Sequence, residues 1–234
     1  MTAPNILVSI SAPPKSGKTH MAMTFPEPIA LFSLDFGAQP VRAKFPNKEI
    51  DIFEHPMPLY DSLEKVTSDF QPMWEELRDG IYDAFAWKKK QYQTIVIDTG
   101  TALWEVIRYA YNEEEGKALG ATGRARNYGE PNARAYGIFQ RAKLAGINLV
   151  VINHLKDKWV DDKATGEQIL DGWRRTEGIV DVVTTMHKDY KTVGDGREAV
   201  FHLDIVSNRF DPNIDGFSLE NPTYDDLLLA LGVE

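Results

Sequence analysis

The 234 residues contain no cysteine. A disulfide framework and a thiolate metal site are therefore excluded. Long apolar runs are missing too: none approaches the roughly 18 consecutive apolar residues of a membrane span, so no membrane partner is expected. The first residues, "MTAPNILVSIS", carry no basic leader ahead of their apolar stretch, and a secretory signal is not expected. Five histidines are scattered without metal-ligand spacing. Positive charge is in short supply, with a formal net charge of -9. The molecule as a whole is then no electrostatic binder of nucleic acid. Any such contact has to come from a local basic strip or from a groove shared by several subunits. Internal repeats and low-complexity linkers are absent. The expectation is a soluble, cytoplasmic protein.

What is present suits one large α/β domain over residues 1–234, since 43% of the chain is apolar. Buried strands are expected at about 5–11, 28–37, 93–100 and 147–154, where short apolar runs are bounded by Gly, Pro or polar residues. Between them, a short helix should start at Gly17, residues 60–90 should be mostly helical with a break near Pro72, and "PNARAYGIFQRAKLAG" should be a helix ending at Gly146. Residues 113–130, rich in Gly and charge, read as a loop. Later come a hairpin around Thr165-Gly166, a helix or buried element in "TEGIVDVVTTMHK", a hairpin around Asp195-Gly196, and a closing helix in "YDDLLLALG". Strands alternating with helices, then hairpins, imply a mostly parallel sheet flanked by helices and extended by antiparallel strands at the C-terminal end.

The chemistry is concentrated in "ILVSISAPPKSGKTHMAMTF" (6–25). A buried strand runs into a loop ending Gly17-Lys18-Thr19, and a helix follows. A phosphate loop needs this order: backbone N–H groups wrap the phosphates, the lysine reaches the outer ones, and the hydroxyl binds magnesium. Pro13 and Pro14 donate no N–H but lie early in the loop. The expected nucleotide contacts are Pro14, Lys15, Ser16, Gly17, Lys18, Thr19 and His20. "TIVIDTGTAL" places Asp98 at the tip of another buried strand, where it can support magnesium opposite Thr19. Together they form a Walker A and Walker B set, with ATP and Mg2+ as the expected cofactors.

With these residues the chain resembles the RecA-like ATPases, sharing features with recombinases and with DnaB-type helicases. "SAPPKSGKT" is similar to the helicase-branch phosphate loop, in which Ala can replace the first Gly. "LFSLDFG" resembles that branch's segment carrying the residue that activates water, and so implies Asp35 as catalytic, one methylene shorter than the usual glutamate. Glu105 is the alternative base. "IVIDTGTAL" resembles the recombinase Walker B segment. "VVINHL" resembles the strand whose glutamine senses the outermost phosphate, which implies that role for His154, beside Lys18 and Asp35. These motifs span residues 6–155. The hairpin-rich part, 156–234, looks like small phage-encoded RecA-like ATPases linked to single-strand annealing, acting in the cytoplasm of a bacterial host.

The resemblance implies a DNA-stimulated ATPase that works on single-stranded DNA in recombination or replication. It also implies a homo-oligomeric ring or filament and a single-strand-binding or annealing protein as partner. A DNA-facing strip is expected at Lys156, Lys158, Trp159, Lys163, Trp173, Arg174 and Arg175, since single strands are met by cations and stacking rings. Lys117, Arg124 and Arg126 offer a second. Arg174, Arg175, Lys188 and Arg209 are candidates for a finger reaching a neighbouring subunit's nucleotide. Two other classes stay open: a nucleotide kinase with Arg124 and Arg126 in its lid, and a nucleotide-switched assembly protein with little hydrolysis.

Overall fold

The computed structural model describes residues 4–88, 90–121, 128–194 and 196–233. Nine strands occur among them: β1 (Leu7–Ser11), β2 (Ile29–Ser33), β3 (Ile50–Glu54), β4 (Thr94–Asp98), β5 (Asn148–Val160), β6 (Lys163–Asp171), β7 (Val182–Val193), β8 (Gly196–Asn208) and β9 (Ser218–Glu220). They form one sheet in the order β3-β2-β4-β5-β1-β7-β8-β9, with β6 paired to β5 off this path. The run from β3 to β7 is parallel; β6, β8 and β9 are antiparallel to their neighbours. All residues of β1, β2 and β4 are buried, which is why these strands read as unbroken apolar runs.

Side chains that alternate across the sheet feed two cores. Ile95, Ile97, Leu149 and Val151 face helices α3 (Phe70–Phe85), α4 (Gly100–Glu114) and α5 (Gly129–Ala145). Val96, Val150 and Ile152 face the other way, toward α1 (Lys18–Met23) and α7 (Tyr224–Leu231). Short α2 (Ala38–Arg42) follows β2, and α6 (Thr176–Ile179) precedes β7. Gly146 closes α5 at φ 62. A reciprocal Thr223–Asp226 capping box starts α7. Among the described residues, no helix is long and apolar enough to cross a membrane.

The structure departs from the sequence reading at several points. α3 begins at Phe70, not near 60, and Pro72 falls in its first turn, where its missing N–H breaks no helical hydrogen bond. α2, β3 and β9 are short and were not expected. The β5–β6 hairpin turns at Asp161-Asp162, both at positive φ (49 and 59), between the paired Val160 and Lys163. Thr165-Gly166 lies inside β6 instead. Two-residue hairpin turns favour the left-handed region at both central positions, which aspartate tolerates better than threonine does. "TEGIVDVVTTMHK" is divided, helix α6 first and β7 after it. Val193 pairs with Gly196 across the next hairpin, whose Asp195 lies outside the described residues. Arg124 and Arg126 are outside them as well.

Candidate active site

Parallel register sets the site. Ser33 pairs with Asp98, Asp98 with Ile152, and Ser11 with Asn153. The C-terminal ends of β2, β4, β5 and β1, four neighbouring strands, therefore lie along one edge of the sheet. Open α/β sheets bind ligands outside this edge. A cavity of about 510 Å³ opens there, within the range of small-molecule sites.

The loop after β1 supplies one wall. All seven residues from Pro14 to His20 line the cavity. Lys18, 7% exposed, donates from Nζ to the carbonyls of Ala12 and Pro13, each at 2.9 Å. Pro13 thus holds the loop through its carbonyl, although neither proline brings a donor. Ser16 Oγ also donates to Pro13, at 2.8 Å. Gly17 sits at φ +89, and a Cβ there would come within 2.9 Å of the Phe201 ring. Conformation and crowding both require glycine at this position.

The second wall carries the carboxylates. Asp98, 2% exposed, accepts a hydrogen bond from Thr19 Oγ1 at 2.7 Å. Burial, and then the neighbouring Asp35 charge, push its carboxyl up to about 6. Lys18 is shifted down by its own burial, against the pull of Asp98 and Asp35. Asp35 is exposed just beyond β2, and its Oδ1 accepts from the Gly37 amide at 3.0 Å. His154, half-buried on β5, has its imidazole pKa lowered by burial and by Lys18. Both Asp35 and His154 line the cavity. Glu105 does not. It is half-buried on α4, and its pKa is raised mainly by burial.

Sequence reasoning missed the far wall. Met186 of β7, Phe201 of β8, and Asn221 and Pro222 after β9 line the cavity, as do Val41 of α2 and Lys44 just after it. No local motif marks them, because long-range strand pairing brings them in. Three buried polar atoms near this edge, Ser11 Oγ, Ser33 Oγ and Asn153 Oδ1, have no hydrogen-bond partner among the described residues. Thr101 was missed too. Its hydroxyl accepts from the His154 amide at 2.9 Å and donates to the Asp171 carbonyl, so it ties His154 to the first rung of the β5–β6 hairpin.

The hairpin departs from the expected basic strip. Lys156 is paired with Asp171 and Lys158 with Glu167. Trp173 is 5% exposed, packs against Trp104 and Phe139, and donates to Asn132 Oδ1 at 2.7 Å. It is a core residue. Trp159 is 64% exposed. Lys163, Arg174 and Arg175 are also exposed and take part in none of the ion pairs found among the described residues. Arg209 donates to the carbonyls of Val180 and Gly178 at 3.1 and 2.8 Å, so its guanidinium is engaged at the end of α6 in its own chain. Lys188 pairs across the hairpin with Phe201, near the cavity rim.

A family model described as an AAA domain matches residues 5–210. In structure, the chain is similar to the crystal structure of the RadB recombinase, with a TM-score of 0.50 and 14% identity over 93% of this chain and 87% of that one. At that identity the likeness is one of fold, and the fold is the RecA-like P-loop fold. No curated protein matches the chain in sequence.

Proposed function

This chain belongs to the AAA-domain family, and from that premise we propose that it binds and hydrolyses ATP with magnesium and acts on single-stranded DNA in recombination or replication. One observation carries the reading: Lys18, the Thr19–Asp98 pair, Asp35 and His154 come from four neighbouring strand ends and line one cavity. Thr19 and Asp98 fit magnesium. They are hard oxygen donors in contact with each other, and the buried Asp98 carboxylate makes no direct salt bridge among the described residues, Lys18 acting on it only from a distance. When bound, the metal would neutralise charge on the transferred phosphate.

The chain's own residues supply the rest. The amides from Lys15 to Thr19 cradle phosphate oxygens, and Lys18 exchanges its loop carbonyls for them. Asp35 holds the attacking water. His154, kept neutral by its lowered pKa, offers a donor or an acceptor to the outermost phosphate without adding charge. Thr101 passes a shift of His154 to the hairpin. There Trp159, Lys163, Arg174 and Arg175 offer the stacking and phosphate contacts that single strands need.

A net charge of -9 makes one copy a weak DNA binder, so several copies in a ring or filament would line up their hairpins. Among the described residues, Arg174 and Arg175, and Lys188 if it leaves the Tyr190 ring, could reach a neighbour's nucleotide. The recombinase reading draws on the structural likeness to the RadB recombinase. A phage setting in a bacterial cytoplasm, with a single-strand-binding or annealing partner, draws on the motif resemblance. The test is phosphate release from ATP with magnesium, measured with and without single-stranded DNA and with nucleoside acceptors. Magnesium-dependent release that rises with DNA is expected. Label transferred to a nucleoside would make it a kinase, and ATP-dependent assembly without turnover would make it a switch.

A further inference from the structure

The β7–β8 hairpin carries a second cluster outside the cavity. His187 and His202 are directly opposed across the strands, their rings stacked at 4.8 Å and 11°. Asp189, two residues along β7, places Oδ2 3.7 Å from His187 Nε2 and 3.9 Å from His202 Nε2. Asp204, two residues beyond His202, has Oδ2 3.1 Å from His187 Nδ1. One donor atom each from His187, Asp189 and His202 can be chosen with all three inside 4.8 Å of one another.

We propose that His187, His202 and Asp189 bind a divalent transition metal of the zinc class, with Asp204 orienting His187. The Asp204 contact assigns the proton of His187 to Nδ1 and leaves the Nε2 lone pair on the side of Asp189. A carboxylate behind a histidine in this way is the usual support of a metal-binding imidazole. Two imidazoles and one carboxylate suit zinc and its neighbours, whereas magnesium takes oxygen ligands. Ligands around tetrahedral zinc stand roughly 3.3 Å apart for bonds of about 2.0–2.1 Å, so closing on the ion requires the stacked rings to turn toward each other and Asp189 to draw in.

The ion has access, because the His187 side chain is 48% exposed and that of Asp189 68%. Glu220 stands opposite His202 on β9 but is engaged by Lys191 at 2.6 and 2.7 Å. Three protein ligands leave a fourth position for water. The scattered histidines gave no such signal in the sequence, because the spacing that matters is the register of two strands. On the opposite face of the same hairpin, Met186 and Phe201 line the nucleotide cavity. A bound metal therefore ties β7 to β8 behind that wall.

The experiment is zinc titration of the full, untagged chain in competition with a chromophoric chelator. One zinc per chain is expected. His187→Ala and His202→Ala each abolish competition with the chelator, and Asp204→Asn weakens binding by about 10–100-fold. Circular dichroism confirms that each variant is folded. Ring-nitrogen NMR of the wild type gives a second readout, with zinc shifting both His187 and His202. Unchanged affinity in a folded His187→Ala/His202→Ala protein, ring signals that ignore zinc, or no stoichiometric uptake by the wild type would overturn the proposal.

Discussion

Asp98 costs the fold stability at neutral pH. Its folded pKa of about 6 lies above the ordinary 3.8, so the folded state holds the proton more tightly than the unfolded one. Stability contributed by this group falls as pH rises from about 4 to 6, and above that range the cost of the charge is complete. One pH unit of displacement is worth about 1.4 kcal/mol, so the cost without magnesium is up to about 3 kcal/mol. Asp98→Asn keeps an acceptor for Thr19 and removes the charge. In chelator at pH 7.5 it should melt several degrees above wild type, the gap should narrow toward pH 4, and ATP binding should lose its magnesium dependence. A lower melting temperature at pH 7.5 would contradict this reading of the site. Asp35 is exposed and contributes little to the fold. Asp35→Asn should bind nucleotide normally and slow hydrolysis by about 100-fold or more, measured as steady-state turnover. Turnover within a few-fold of wild type would make Asp35 structural.

The β5–β6 hairpin and the turn after it separate two tryptophans that the sequence presents alike. Trp173→Ala removes a buried ring from the packing of α4 and α5 and should cost about 3–5 kcal/mol. Trp159→Ala should change stability by less than about 0.5 kcal/mol while weakening oligonucleotide binding. Chemical denaturation of both variants checks the contrast, and equal losses would contradict it. Burial of Trp173 depends on Asn132 and Phe139, far away in sequence, so local composition could not reveal it. Nor could it show that Lys156 and Lys158 are partnered across the hairpin. The elements that were legible are those whose signal is local: β1 into Gly17-Lys18-Thr19, the apolar runs of β2 and β4, and Gly146 closing α5. β3 and β9 escaped notice because edge strands are short and half-polar. The Asp161-Asp162 turn was missed because Thr165-Gly166 looked the stronger breaker.

At the scale of the whole molecule, the near half of the cavity was legible and the far half was not. Lys18, Thr19, Asp35, Asp98 and His154 each stand at or just beyond the end of an apolar run, and parallel pairing brings such ends together. Met186 reaches the same cavity from β7, and Phe201 and Pro222 through the antiparallel extension, whose register no motif records. This architecture places the cavity beside the middle of β5 and the hairpin at its far end, joined through His154 and Thr101. Nucleotide in the cavity is proposed to control the hairpin's hold on single-stranded DNA. This control is tested most directly by fluorescence anisotropy of a labelled oligonucleotide, with and without a non-hydrolysable ATP analogue, comparing wild type with Trp159→Ala/Arg174→Ala/Arg175→Ala. The account predicts tighter, salt-sensitive binding by wild type with the analogue and loss of most of that gain in the variant. Equal affinity in both proteins, unaffected by nucleotide, would contradict it.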